Sequence, residues 1–393
     1  MNYFETQDKS LCCGCTACAS ICPKSCITMT PDQDGFDYPV IDKARCINCE
    51  LCKKVCPFAN SDRLKNKAQD ECYALAINDQ EILYKSASGG AFTAIVNAFC
   101  DNNYRIFGSI MDSNLKVRHA YSDSIYDVSK FRKSKYVKSD INNTYYLAKK
   151  ALNEGKKVLF TGTGCQIAGL KGYLQNDYDN LLTVDLICHG VPSQKLFDNY
   201  IEYLKRKHKQ DIKNFIFRYK KSDSSNYIYY ELENGKVNVK KGQLDYYMRA
   251  FLVNLMSMPA CYNCHFACRE RTGDITIADF WGIEHYNQNF NTGQGASLVI
   301  FNTEKGRKLI NQLQNVKLFK TDINNAIKFN ENLSRPSQLN KNRDKFLELA
   351  RVNFKKAAKK YCKPSLKIRI TAIMPNWMKK IIKALLKKLR IKI

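Results

Sequence analysis

Apolar runs of strand length recur along the chain, each broken by a polar or glycine-rich turn and followed by a stretch with helical periodicity. Cys72–Ile77 (CYALAI), Arg105–Met111, Lys157–Phe160 (KVLF), Leu181–Ile187 (LLTVDLI), Ile275–Ala278 and Ser297–Asn302 read as buried strands. Ala91–Phe99, Asn142–Glu154, Gln194–Lys207 and Glu304–Gln314 read as helices among them. That alternation predicts a mixed α/β domain whose ligands gather where parallel strands end. Asn214–Lys241 instead alternates aromatic and polar residues and predicts antiparallel strands turning at Asn234-Gly235. Ser61–Asp70, Asn287–Gly295 and Asn330–Lys345 lack periodicity and read as linker or loop.

At the far end, Trp377, Met378, Ile381, Ile382, Leu385, Leu389 and Ile393 share one face of a helical projection, with Lys379, Lys380, Lys383, Lys387 and Arg390 opposite. This is the pattern of an interfacial helix. Charge strengthens it: of the net +26 on 393 residues, +15 lies between Arg351 and Ile393, where no acidic residue occurs. A run so basic suits an anionic membrane surface, with nucleic acid the disfavoured partner. No apolar run reaches the roughly 18 residues that a spanning helix needs. The expectation is a cytoplasmic chain, at most peripheral on the inner face of the cell membrane.

The chain exceeds the size at which single cores stop growing, so two or more domains are expected. Its 18 cysteines follow a start with no secretory pattern, which argues for a reducing compartment where thiolates bind metal. Cys12, Cys15, Cys18 and Cys22 with Pro23 read C-x2-C-x2-C-x3-C-P, and Cys46, Cys49, Cys52 and Cys56 with Pro57 repeat that spacing. Such a pair of runs holds two 4Fe-4S clusters, the fourth Cys of each run ligating the other run's cluster. The expected sets are Cys12, Cys15, Cys18 and Cys56 for the first and Cys46, Cys49, Cys52 and Cys22 for the second. Cys13 and Cys26 fall outside the spacing and read as non-ligands. A third motif, Cys261-x2-Cys264-x3-Cys268, brings three thiolates and lacks a fourth ligand. Cys188 or Cys165 could supply it, with His265 an outside candidate, giving a third iron–sulfur cluster or a zinc site.

Two glycine turns carry further chemistry. KSASGGAF at Lys85–Phe92 sets hydroxyls and two glycines before a helix, and TGTGCQIAGL at Thr161–Leu170 leads from a strand into one. Both suit a phosphate-bearing ligand, though the spacing matches neither a Walker A loop nor a dinucleotide fingerprint. Cys188-His189-Gly190 ends the next strand, and Asp279-Phe280-Trp281-Gly282 ends another. Lys130–Val137 (KFRKSKYV) reads either as a rim for a negatively charged ligand or as a solvated loop.

KSASGGAF, VLFTGTGCQIAGL, DLICHGVPS and CYNCHFACRERTGDITIADFWG together resemble the coenzyme F-420 hydrogenase/dehydrogenase beta-subunit family, here behind an N-terminal two-cluster ferredoxin domain. The resemblance spans roughly residues 3–330. It implies FAD and a further 4Fe-4S cluster in the catalytic domain. By matching motif, Lys85, Ser86, Ser88, Gly89 and Gly90 would contact the flavin, with Thr161, Gly162, Thr163 and Gln166 on a facing loop. Gly164 stands where the family usually shows Pro.

The expected division is a dicluster module at 1–60, a linker at 61–70, catalytic halves at 71–180 and 181–345, and a basic amphipathic tail at 346–393. The expected function is an iron–sulfur flavoprotein oxidoreductase, with Lys135, His189 and Asp279 orienting or protonating a small-molecule substrate. That substrate is a deazaflavin coenzyme or, in a bacterium, a cell-surface polysaccharide precursor. The alternative is a non-catalytic subunit relaying electrons between a ferredoxin-like partner and another enzyme.

Overall fold

The computed structural model describes residues 2–221, 224–288, 290, 294–374 and 378. At the N-terminus, β1 (Ile27–Pro31) and β2 (Asp37–Ile41) form an antiparallel hairpin between the two cysteine runs. The chain then enters an eight-stranded sheet built from β3 (Glu71–Ile77), β4 (Tyr104–Met111), β5 (Val117–Ser122), β6 (Lys157–Thr163) and β7 (Leu181–Leu186). It leaves to make a separate antiparallel sheet from β8 (Ile212–Lys221), β9 (Ser224–Leu232) and β10 (Val237–Lys241). It returns for β11 (Ile275–Asp279), β12 (Ser297–Phe301) and β13 (Val316–Asp322).

The large sheet runs β13-β3-β12-β11-β7-β6-β4-β5. β4, β6, β7 and β11 are mutually parallel, and β12, antiparallel to both β11 and β3, gives β3 the same direction as those four. The polypeptide therefore leaves β3, β6, β7 and β11 along one edge, which is where open α/β sheets place ligands. The expected mixed α/β fold is the observed one. Each expected strand is present, and Asn234-Gly235 does turn the small sheet, with Gly235 at φ 80°. Three elements carry no strong signal and were not expected: the hairpin β1–β2, and the edge strands β5 and β13. Lysines break the apolar pattern of β13 (VKLFKTD), as suits a sheet edge.

Packing joins the N-terminal module to the rest. Tyr3, Phe36 and Tyr38 share one buried cluster with Phe197, Phe217, Phe346 and Phe354, and Cys15, Ala17 and Val55 share another with Tyr145, Ile167 and Leu170. Ser61–Asp70, expected as a linker, is held in place. Ser61–Leu64 is a helical turn that buries Leu64, and Asn66 donates from its backbone to Arg271 O (2.7 Å) and from its side chain to Gly273 O (2.8 Å). Asn330–Lys345 and the start of the basic region are also more ordered than expected. Helices Arg343–Val352 and Phe354–Tyr361 pack their apolar faces inward, and Arg351 pairs with Asp34 of the N-terminal module at 2.7 Å. Apart from Met378, the amphipathic stretch Trp377–Ile393 lies outside the described residues. Among the described residues no helix is long and apolar enough to cross a membrane.

Candidate functional site

Cys12, Cys15, Cys18 and Cys56 line one small cavity beside Pro57. Burial pushes the Cys12 thiol up to about 12, with Cys15 and Cys56 adding to the rise, and Cys18 is raised by burial and by the same neighbours. Thiols that raise one another are close enough to repel as thiolates, and a bound cation cluster would offset that repulsion. At the other end of the module, Cys22, Cys46 and Cys52 pack beside Ile27, and Cys52 is raised by burial and then by Cys46 and Cys49. Cys26, outside the spacing, lies 3.3 Å from Cys22 sulfur to sulfur. Both sets are all-thiol, the donor chemistry of iron–sulfur ligation. Among the described residues no three such side chains close to the spacing of a single metal ion.

A further group of thiols forms at the sheet edge. Cys165 sits in the first turn of helix Gly164–Leu174, where a helix N-terminus favours a thiolate. Cys188 follows β7, and Cys261 and Cys264 lie on and just after the turn Pro259–Tyr262, which Pro259 starts. Burial raises Cys188 to about 12 and Cys264 to about 11, with Cys165 adding to both, and Cys261 is raised by burial, Cys188 and Cys264. Gly190, at φ 132°, permits the approach: a Cβ there would stand 2.4 Å from Ser257 Oγ and 3.4 Å from Cys261 Cβ. Cys268 is turned elsewhere. Its thiol donates to His265 O (3.3 Å) and Glu270 O (3.1 Å) beside Lys65 and Arg271.

The first cysteine group and the sheet-edge group meet through Cys13. It lines the same cavity as Cys15 and packs with Cys165 and Cys264 against Phe58 and Phe266, and as a neighbour it pulls the Cys165 thiol down to about 7 against its burial. Two glycines of helix Gly164–Leu174 let the module come this close. A Cβ at Gly169 would lie 3.1 Å from Cys15 Sγ, and one at Gly172 would lie 2.4 Å from Val55 O.

The three residues expected to act on substrate have other partners. Lys135 donates to four backbone carbonyls, those of Ser109, Lys130, Phe131 and Arg132 at 2.8–3.2 Å, and so closes the C-terminal end of the short helix Val128–Phe131. Asp279 forms a two-pronged pair with Arg218 at 2.7 and 3.0 Å. Against the cost of burial, Tyr136 and Asp279 hold that guanidinium above its ordinary pKa. His189 lies near Cys188 with Nδ1 3.3 Å from Asn332 Oδ1, its Nε2 unpartnered, and burial lowers its pKa.

The nine residues expected around a flavin fall on loops at the ends of β3 and β6. Three strands separate them, so the loops stand about 19 Å apart at ordinary strand spacing. Lys85 pairs with Glu81 at the surface. Ser86 donates to Ile82 O, Ser88 to Ala296 O and Thr161 to Phe107 O. A Cβ at Gly89, Gly90 or Gly162 would meet the protein's own Leu75, Ile77 or Gln166. Thr163 and Gln166 form a capping box. As a set these residues form no open cradle, and they do not fit a flavin.

Other residues were missed. Arg218 and Lys220 reach from β8 to the Ser/Gly loop, Arg218 donating to Ala87 O and Lys220 to Leu83 O and Ser88 O, with Trp281 beneath Arg218. Only their place in an alternating strand could have flagged them. Lys138, its side chain nine-tenths buried, stands against Gly14 and lowers Cys12, Cys15 and Cys165 alike.

Residues 11–60 match the model of the 4Fe-4S dicluster domain, and residues 155–325 match that of the C terminus of the coenzyme F420 hydrogenase/dehydrogenase beta subunit. Residues 155–325 belong to that family, behind a dicluster module. The beta-subunit domain thus supplies Cys165, Cys188, Cys261 and Cys264, and the dicluster module supplies the rest. Among solved structures, the chain is similar to one in the F420-reducing [NiFe] hydrogenase complex from Methanosarcina barkeri, studied by xenon derivatization. The two are 16% identical with a TM-score of 0.42, over 76% of this chain and 92% of that one. No protein of curated function matches the chain. A dicluster module ahead of a domain of an oxidoreductase family supports iron–sulfur electron transfer by this chain.

Proposed function

We propose that this chain relays single electrons through three 4Fe-4S clusters: two in the dicluster module, and a third held by Cys165, Cys188, Cys261 and Cys264. The observation that carries the third is the gathering of those four thiols at the sheet edge, Cys165 from a helix start, Cys188 from the end of β7, and Cys261 and Cys264 from the Pro259 turn. Arg271, buried and 3.2 Å from Asp185, adds a fixed cation beside Cys188 and Cys264. At the far end electrons reach a small-molecule substrate or a second enzyme. Support for a flavin there, and for a deazaflavin or polysaccharide precursor as substrate, comes from the family resemblance alone. His189, with a free ring nitrogen one residue from Cys188, is the side chain best placed to hold a proton at that end.

Iron and sulfide counting on protein purified without oxygen tests this. Cys165→Ala should lower the iron by one cluster, about a third of the total, while Cys268→Ala should retain it all. Loss of iron from Cys268→Ala, with none from Cys165→Ala, would refute the ligand set.

The basic C-terminal region is proposed to seat the protein on an anionic membrane. Val352 and Leu366 are 84% and 72% exposed among its lysines, and each cation near such a surface contributes roughly 1 kcal/mol. Removing residues 375–393 should abolish sedimentation with phosphatidylglycerol vesicles and leave the visible spectrum unchanged. Undiminished sedimentation would rule the assignment out.

A further inference from the structure

We propose that the tip of the dicluster module, around Ile47 and Cys49, is the docking surface for a small acidic one-electron carrier protein. The inference rests on the relay proposed above, and only on its dicluster part. The two sets of ligand cysteines differ in where they lie. Cys15 and Cys18 of the first set are buried, and a Cβ at Gly169 of the larger body would stand 3.1 Å from Cys15 Sγ. Cys22, Cys46 and Cys52 of the second set pack in a cluster drawn entirely from residues 4–52 of the module, and Cys49 is exposed. The second set is therefore the one that faces solvent.

The loop that carries it has the make-up of a contact surface. From Asp42 to Glu50 every residue except Cys46 is exposed, with Ile47 56% exposed at the centre and Val40 54% exposed on the adjoining strand β2. Charge names the partner. Asp42 and Glu50 pair with Arg45 and Lys53, each at 2.8 Å, which leaves Lys24 and Lys43 exposed and without an acidic partner among the described residues. The Asp42 amide donates to Cys26 O at 2.8 Å, so the turn bearing Lys24 lies against the loop bearing Lys43. Two other acids of the module, Asp32 and Asp34, are matched by Lys9 and Arg351. Unmatched cations beside an apolar centre attract and orient an acidic protein, and they repel a second copy of this chain, whose net charge is +26. A contact this small suits electron-transfer encounters, which are weak and bury less than about 1,200 Å².

In the encounter one electron passes from the reduced carrier to the second cluster. The carrier is oxidised by one electron, the cluster is reduced by one, and no bond or proton is exchanged. From there the electron moves inward to the first cluster.

The test uses the full chain, purified without oxygen and with its iron and sulfide counted, mixed with flavodoxin hydroquinone as an acidic one-electron carrier. Oxidation of flavodoxin to its blue semiquinone is followed by stopped flow. In wild type the second-order rate constant should fall steeply as salt is raised. Lys24→Glu/Lys43→Glu should keep its iron and react about tenfold more slowly at low salt, the difference shrinking as salt is added. Ile47→Ala should slow the reaction severalfold at low and high salt alike, because apolar contact is not screened. Lys213→Glu/Lys317→Glu, at exposed positions on β8 and β13, removes the same charge elsewhere and should stay within about twofold of wild type. If the first double variant loses iron, Lys24→Gln/Lys43→Gln, which adds no acid beside the cluster, carries the test, with a slowing of about threefold expected.

An unaltered rate in the Lys24/Lys43 variants would overturn the proposal. Equal slowing in the two charge-reversed doubles would reduce the effect to net charge and overturn it too. So would a wild-type rate indifferent to salt, or self-association of wild type that Lys24→Glu/Lys43→Glu abolishes, which would make the occupant a second copy. Wild type without iron in the module would instead overturn the relay itself, before any carrier is added.

Discussion

His119 shows how a single residue's chemistry is fixed by what surrounds it. Its Nε2 lies 2.9 Å from Thr161 O, which only accepts, so that nitrogen carries the proton. Nδ1 must then accept from Ser139 Oγ at 2.9 Å, and Ser139 Oγ accepts in turn from Gln166 Nε2 at 3.0 Å. Gln166 Oε1 completes the chain by accepting from the Thr163 amide at 3.0 Å. A neutral ring satisfies every member of this network, whereas a charged ring would make Ser139 Oγ accept twice and cost its hydroxyl hydrogen the Nδ1 acceptor. Burial accordingly lowers His119 to about 4. Because the folded pKa lies below the unfolded value of about 6.5, the unfolded chain binds the proton first. The stability linked to His119 is whole above pH 6.5 and is lost as pH falls towards 4. The full shift amounts to on the order of 3 kcal/mol. Urea midpoints measured from pH 7.5 to 4 should fall across that window in wild type, and fall distinctly less in His119→Gln. Parallel curves would show that the ring does not carry the dependence.

At the scale of elements, helix Gly164–Leu174 positions most of the site, since it carries Cys165, caps β6 and receives the dicluster module on its glycine stripe. Gly172→Ala tests the last role. Alanine should favour the helix by up to about 1 kcal/mol over glycine, but its Cβ would stand 2.4 Å from the Val55 carbonyl, a backbone atom with nowhere to go. Overpacking of that kind costs roughly 1–3 kcal/mol, so the variant should be less stable to urea despite its better helix former. A more stable variant would show that the module does not seat there.

The same helix marks what the sequence discloses and what it hides. Periodicity revealed β6, β7 and the turn between strand and helix, because fully buried parallel strands are nearly continuous apolar runs. The ferredoxin spacing likewise named eight cysteines, because their order along the chain is itself the ligand geometry. Cys165, Cys188 and Cys268 lack that property. Which of them joins Cys261 and Cys264 depends on where β7 and the Pro259 turn meet in space, and Cys268 is next in line in sequence yet faces two carbonyls. Ser86, Ser88, Thr161 and Gln166 read as ligand contacts for the converse reason: hydroxyls and amides at a glycine turn look alike whether they face a cofactor or a neighbouring carbonyl.

On the scale of the whole molecule, the dicluster module behaves as part of the larger body and not as a domain on a tether. Fast relay between clusters requires fixed, short separations, and a swinging module would supply them only intermittently. Four independent contacts fix it here. Tyr3, Phe36 and Tyr38 complete an aromatic core built mainly from residues beyond 190, with Leu115, Val117 and Val137, and Ser193 donates to Asp34 O. Lys195 donates to Gln33 O at 2.9 Å, and Arg351, from the far end of the chain, clamps Asp34. Ser61–Asp70 adds only a short covalent path beside these contacts. A protease site inserted after the exposed Lys67 should therefore be cut without consequence for assembly. The two pieces should elute together on size exclusion, with their iron, in dilute buffer and in salt high enough to screen the Asp34–Arg351 pair, because the aromatic contact is apolar and survives screening. Separation in dilute buffer would show that the covalent connection alone holds the module.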